Sequence, residues 1–334
     1  MEIKEQYYKY NTRGDKPFAL SDWFENSLTR AIARKDFVTD VQQLGNDLKQ
    51  QLIEYRENNN VSTVAIGMSG GIDSALTASL FLNAGWRVIG NVMPVHQEQS
   101  ETDRGIEVCK ALDIEHNIID LSHPYDVMVE FYKQVAVDFD KEYDENSLEL
   151  RAESIRKGNI RARLRMITLY NLAAKHKGIV GSTDNFSELA AGFWTLHGDV
   201  GDVAPIQSLT KSWEVPALAD QMMLPQSVIQ ATPTDGLGID SGDESQFGHS
   251  YAELDLALLD MLHEYNVDAQ DPISGAEPAE LTDKDKQILK SVSWRIGNTV
   301  YKRANPINCE HPTCGDWRYQ QLAQLDNKLI ANNN

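Results

Sequence analysis

A doubly wound parallel α/β sheet is the fold this sequence predicts, on three observations. Short β-rich runs alternate with helical stretches between residues 61 and 183, the runs have apolar cores, and a glycine-rich turn follows the first of them. Residues 22–57 carry apolar positions at helical spacing (Trp23, Phe24, Leu28 and Ile32, then Val38, Val41, Leu44, Leu48 and Leu52), which predicts one or two helices. The run 61–68 is the first strand. A helix over 74–84 follows and closes at Gly85; Leu76, Leu80, Phe81 and Leu82 make it apolar nearly all round, as a crossover buried against a parallel sheet would be. Strands at 86–93, 115–121 and 178–183 alternate with helices near 101–112, 124–139 and 158–176. The charged stretch 138–157 reads as a solvated loop or exposed helix. Beyond 225, TPTDGLGIDSGDESQFGHS reads as a loop able to order on a ligand, and disorder is expected at the extreme C-terminus. Three segments result: an N-terminal helical segment over 1–60, the α/β domain over 61–270 and a C-terminal extension over 271–334.

Bulk properties narrow the function. With 334 residues, 41% hydrophobic and 24% charged, the chain has an ordinary globular composition, and no run approaches the roughly 18–20 apolar residues of a membrane span. The N-terminus is polar and lacks the apolar core of a signal peptide, and three cysteines do not make a disulfide framework, so a cytoplasmic protein without membrane association is expected. A formal net charge of −19 repels phosphate backbones on average, which weighs against a nucleic-acid partner.

The stretch GMSGGIDSAL at 67–76 is where chemistry is expected. A glycine-rich turn between strand and helix lets successive backbone N–H groups point into one concavity, and the helix adds the positive end of its dipole. Gly67, Ser69, Gly70, Gly71 and Ser74 suit a phosphate chain. Asp73 would repel that chain unless a divalent cation bridged the two, which marks Asp73 as a magnesium ligand. No lysine follows the glycines, so this is not the G-x-x-x-x-G-K-[ST] loop, and the adjacency of Gly70 and Gly71 excludes the dinucleotide fingerprint. On the helix 158–176, Arg163 falls on a stripe with Met166, Tyr170 and Ala174, where it calls for an anion or an internal carboxylate; Arg161 and Arg165 read as a solvated face.

The turn resembles the SGGxDS loop of the ATP pyrophosphatase superfamily, whose members split ATP to AMP and pyrophosphate. Three later segments, KGNIRARLRM at 157–166, GSTDNFSELAAGFWTLHGDVGD at 181–202 and SLTKSWEVPALA at 208–219, resemble in order and spacing the NAD synthetases, as does GDESQFGHSYAELD at 242–255. That resemblance implies an adenine nucleotide alpha hydrolase-like fold and a homodimer whose substrate site lies partly between subunits. It implies ATP and Mg2+, and amidation of the nicotinate carboxylate of deamido-NAD by ammonia through an acyl-adenylate. It also assigns Thr183 and Lys211 to ATP, Glu188 to the metal beside Asp73, and Arg163, Asp199 and Asp202 to the nicotinate-bearing substrate. Here the HGDVGD loop is one residue shorter than is usual, and Leu196 and His197 stand where a lysine and an aromatic residue are common. Nicotinate mononucleotide therefore stays open as a substrate, as does the chemistry of a glutamine amidotransferase's synthetase half or a nucleotide-sensing role without catalysis. Only about 60 residues without a cysteine precede the first strand, so free or separately delivered ammonia is expected. His96, after the strand 86–93, is either a loop histidine or a partner for a base. Cys309, His311 and Cys314 lack a fourth zinc ligand and read as ordinary surface residues.

Overall fold

The computed structural model describes residues 2–13, 17–135, 148–233, 242–264, 281–303 and 320–321. Cys309, His311, Cys314 and the extreme C-terminus lie outside them. In chain order the elements are α1 (Ile3–Asn11), α2 (Asp22–Arg34), α3 (Val41–Asn58), β1 (Thr63–Gly67), α4 (Ile72–Asn83), β2 (Arg87–Val92), α5 (Gln99–Ala111), β3 (Glu115–Ile118) and α6 (Ser122–Val135). They continue with α7 (Leu148–Lys175), β4 (Ile179–Val180), α8 (Phe186–Ala191), α9 (Glu214–Gln221), α10 (Gln226–Ile229), α11 (Asp243–Phe247), α12 (Tyr251–Glu264), α13 (Asp283–Asn298) and α14 (Val300–Arg303).

The four strands are parallel in the order β3-β2-β1-β4. The chain winds outward from β1 through β2 to β3, then returns across the sheet to β4 on the other side of β1. That reversal opens a crevice beyond the carboxyl ends of β1 and β4, where open α/β sheets bind ligands. Alternation along β1 separates two cores: Val64 and Ile66 face α3, α4 and α9, while Ala65 faces Met166, Leu169 and Ala173 of α7. A third cluster joins the ends of the chain, with Tyr7, Phe24 and Leu28 packing against Trp213 and against Ala252, Leu256 and Leu289 of α12 and α13. Asp260 ties α12 to α2, accepting from Ser27 Oγ at 2.7 Å, Arg30 Nη2 at 2.5 Å and Arg34 Nη2 at 2.8 Å.

The expected fold class holds, with local differences. Within the expected N-terminal helical segment no individual helix is assigned to 3–11, a mostly polar stretch, yet α1 forms there and buries Tyr7 and Tyr10 at a spacing of three. Helix α7 begins ten residues before the expected 158: Glu153, almost fully buried, pairs with Arg156 at 2.6 Å and Lys157 at 3.4 Å, so charges one turn apart hold the stretch helical. Within the glycine-rich stretch beyond 225, residues 234–241 lie outside the described ones, and 243–247 form α11. No helix among the described residues is long and apolar enough to cross a membrane.

Candidate active site at the switch point

A cavity of about 950 Å³ occupies the crevice. Its floor at one end is the turn between β1 and α4. Gly70 sits at φ +83°, a conformation L side chains rarely adopt, and this lets the chain double back against α5. Ser69 Oγ accepts from Gly71 N–H at 3.2 Å and lies 3.2 Å from Ser74 Oγ, which donates to Gly71 O at 3.0 Å. Gly71 is the N-cap of α4 and brings no capping side chain, so the positive end of that buried helix meets the cavity.

Four acidic side chains and one lysine gather beside the turn. Lys211, on the loop before α9, is buried and pairs with Asp73 Oδ2; the other Asp73 oxygen accepts from Asn185 Nδ2 at 3.3 Å. Glu188 sits in a capping box at the start of α8, accepting from Asn185 N–H at 3.3 Å through Oε2, while Oε1 accepts from Tyr251 Oη at 3.3 Å. The Tyr251 hydroxyl also reaches Asp243 Oδ2 at 3.0 Å, and Ser182 Oγ donates to Asp184 Oδ2 at 3.0 Å.

Crowding shows in the acidities. Burial, reinforced by Asp73, drives the Glu188 carboxyl well above the usual carboxylate range, with Lys211 pulling the other way. Burial, then Asp199 and Asp73, raise Asp184 to about 7. Burial opposes the charge on Lys211, but Asp73 and Glu188 outweigh it and hold its pKa above the ordinary lysine value. Four acidic groups crowded around one lysine give the cluster the oxygen donors for a divalent cation shared with phosphate oxygens, whose charge would relieve the crowding. Among the described residues, no group of three or more His, Cys, Asp or Glu side chains is arranged to hold a metal ion by itself. A cation that takes one or two carboxylates and completes its shell with phosphates and water remains compatible with that.

Another part of the cavity wall is aromatic and basic. Asn159 and Arg163 of α7, Trp194, Leu196, Asp199, Arg295 and Lys302 line it. Arg163 Nε donates to Leu196 O at 3.2 Å, and Thr195 N–H donates to Asp199 Oδ2 at 2.5 Å. The Trp194 Nε1 is buried and has no hydrogen-bond partner among the described residues.

Of the residues expected from sequence, Gly67, Ser69, Gly70, Gly71, Asp73, Ser74, Thr183, Glu188, Lys211, Arg163 and Asp199 all line this one cavity. Asp202 does not: its oxygens accept from Val180 N–H at 2.8 Å and Tyr170 Oη at 2.9 Å, bracing the edge strand β4. The stripe reading of α7 is off by one position. Its buried face runs through Ala162, Met166, Leu169 and Ala173, which leaves Arg163 exposed at the cavity rim rather than embedded among apolar side chains. Arg165, expected to be solvated, instead turns inward, donating from Nε to Met93 O at 3.2 Å and from Nη2 to Gln97 Oε1 at 3.0 Å. Arg161 lies over the Tyr125 ring at 4.9 Å. His96 faces Asp126 at 2.7 Å and stays out of the cavity lining.

Sequence reasoning missed Asp184, Asp243, Arg104 and the C-terminal pair Arg295 and Lys302. Arg104 of α5 lines the cavity next to Gly70 with its Nε lacking a hydrogen-bond partner among the described residues. Asp184 and Asp243 sit inside two of the motif segments, so a signal existed; for Arg104, Arg295 and Lys302 none did.

The model of the NAD synthase family matches residues 44–306. This chain belongs to the NAD synthase family. It is 33% identical over 258 residues to an NH3-dependent NAD(+) synthetase of Alkaliphilus metalliredigens, covering 76% of this chain and 93% of that protein. To the enzyme of the same description from Pyrococcus furiosus it is 30% identical over 262 residues, 77% of this chain and 91% of the relative. Among solved structures, an NMN synthetase from Francisella tularensis superposes with a TM-score of 0.66 at 25% identity, covering 82% of this chain and all of that one. An NH3-dependent NAD synthetase from Campylobacter jejuni superposes at 0.59 with 26% identity, covering 81% of this chain and all of that one.

Proposed function

We propose that this chain is a carbon–nitrogen ligase that amidates the nicotinate carboxylate of deamido-NAD with ammonia at the expense of ATP, giving NAD, AMP and pyrophosphate. What carries the reading is the union, in one cavity of an NAD synthase family member, of the glycine turn, Asp73, Glu188 and Lys211 with the aromatic, basic wall around Arg163. The nicotinate carboxylate attacks the α-phosphorus of ATP and pyrophosphate departs. Ammonia then attacks the acyl-adenylate carbonyl and AMP leaves.

Each residue has a distinct task. Backbone N–H groups of the turn and the N-terminus of α4, with Gly67, Ser69, Gly70, Gly71, Ser74 and Thr183, hold the phosphate chain. Lys211 meets the α-phosphate and offsets the charge that builds there. Asp73 and Glu188 would hold Mg2+, which when bound neutralises the departing pyrophosphate. Arg163 and Asp199 orient the acid. No protein nucleophile is needed, so alignment and charge supply the acceleration.

Nicotinate mononucleotide is the second reading, favoured by the likeness to the Francisella NMN synthetase. Mass-spectrometric product analysis with ATP, magnesium and ammonium, offering deamido-NAD and nicotinate mononucleotide in parallel, decides between them. NAD with AMP and pyrophosphate is the expected outcome; nicotinamide mononucleotide as the preferred product overturns the substrate, and amidation of neither overturns the function.

The proposed assembly is a homodimer acting in the cytoplasm, with small-molecule substrates. Val127, Phe131 and Val135 form an exposed apolar stripe along α6, and Ile155 and Ile167 are exposed on α7, surfaces a second copy would cover. Sedimentation equilibrium at micromolar concentration should return twice the 37.5 kDa chain mass, and a monomer refutes the dimer.

A further inference from the structure

We infer that Asp255 of α12 is a positioning residue that sets Lys211 and Glu188 against Asp73 without itself reaching the cavity. The inference rests on the reaction proposed above. Asp255 is completely buried and absent from the cavity wall. One of its carboxylate oxygens accepts from the Ser187 hydroxyl, and the other accepts from Ser212 N–H at 2.9 Å. Ser187 Oγ in turn accepts from Lys211 N–H at 2.9 Å.

Two consecutive amides of the loop before α9 are therefore held by one carboxylate, Ser212 directly and Lys211 through a serine. Ser187 immediately precedes Glu188 on α8, so the same carboxylate fixes the backbone from which Glu188 projects. These two elements also meet through Phe186 N–H, which donates to Leu209 O at 2.9 Å, just beside the two clamped amides. Without the buried anion between them, Ser212 N–H would be a buried donor lacking an acceptor and the Ser187 hydroxyl, which accepts from Lys211 N–H, would lose the partner that orients it. On the far side, Tyr7 Oη lies 3.2 Å from Ser212 Oγ and 3.3 Å from Ala252 O, so α1, which precedes the family-matched span, packs over the outside of the clamp.

The nearby alternative is that Asp255 merely stabilises α12. Asp260, on the same helix, is an internal control: it anchors α12 to α2 through Ser27, Arg30 and Arg34 and touches nothing in the cavity. Asp255→Asn keeps the volume but removes the charge: with its oxygen kept on Ser212 N–H, its N–H2 faces the Ser187 hydroxyl, whose proton then loses its acceptor.

The test compares Asp255→Asn, Ser187→Ala and Asp260→Asn in the full-length chain. In steady-state pyrophosphate release, Asp255→Asn is expected to lower kcat by about 100-fold and Ser187→Ala by about 10-fold, because sub-ångström placement of Lys211 is lost. The KM for ATP should move less than about threefold, since the glycine turn is intact. Asp260→Asn should lower the melting temperature yet keep kcat within about twofold. A second readout needs no turnover: hydrogen exchange in the peptide spanning 210–214 should rise at least about tenfold in Asp255→Asn and stay unchanged in Asp260→Asn. Equal kcat losses in the Asp255 and Asp260 variants, or unaltered exchange at 210–214, overturn the inference. A wild-type chain that releases no pyrophosphate overturns the proposed reaction instead, and the exchange result then decides the clamp.

Discussion

Asp73→Asn is expected to stop pyrophosphate release, lowering kcat by about 10³-fold, while leaving the protein folded. Asp73 is the acidic group inside the glycine turn itself, one oxygen on Lys211 and the other on the Asn185 amide. An asparagine of the same volume keeps an oxygen for Asn185 but carries no charge for a cation bridging to phosphate. It also removes one of the charges that push Glu188 and Asp184 upward, so repulsion in the folded state falls as the pairing of Lys211 weakens. Lys211 retains Glu188 and Asp243 as neighbouring anions. These opposing changes should leave the melting temperature within about 3 °C of the wild type. Pyrophosphate release measured alongside thermal denaturation checks both halves. Retained turnover would remove Asp73 from the metal-binding role, and a variant that fails to fold would make its part structural.

The sheet and the glycine turn were legible because both obey local rules. A buried parallel strand needs an apolar run, a buried crossover helix needs apolar residues all round, and a turn that doubles back closely against a helix needs glycine at positive φ. Each rule leaves its mark within ten residues. The cavity wall around Arg163 was only partly legible. Arg163 stood out as a charge among apolar residues, but its true position depends on which face of α7 meets β1, and one position of helical phase is 100°, enough to move a side chain from core to rim. Asp202 shows the opposite failure: beside the motif loop it looked like a substrate contact, yet the edge strand β4 is only two residues long and uses that carboxylate to hold Val180. Arg104, Arg295 and Lys302 come to the cavity from α5, α13 and α14, and nothing in their own neighbourhoods announces that convergence. Asp255 is the clearest case, because a buried carboxylate that clamps a loop reads in sequence as one more acidic residue in an amphipathic helix.

Gly70→Ala is expected to damage both stability and turnover, and its neighbour supplies the control. Gly70 lies at φ +83°, so any Cβ is strained there, and the Cβ would fall 2.8 Å from Glu101 O, 2.8 Å from Gly105 N and 2.8 Å from Arg104 Cβ. Two of those three atoms belong to the backbone of α5, and no side-chain rotation relieves the overlap. Either α5 withdraws from the turn, carrying Arg104 with it, or the turn leaves the conformation in which it lines the cavity. The expected cost is about 2–4 kcal/mol of stability and about 100-fold in kcat. Gly71 is one residue away but sits at the helix N-cap with φ −88°, and a Cβ there meets only Ser69 Oγ, at 3.3 Å, the end of a side chain that can yield. Gly71→Ala should therefore cost less than about 1 kcal/mol in stability. Denaturant unfolding of the two variants side by side measures the difference. If both lose the same stability, the turn is not held by its approach to α5, and the positive φ of Gly70 has some cause other than making room for that helix.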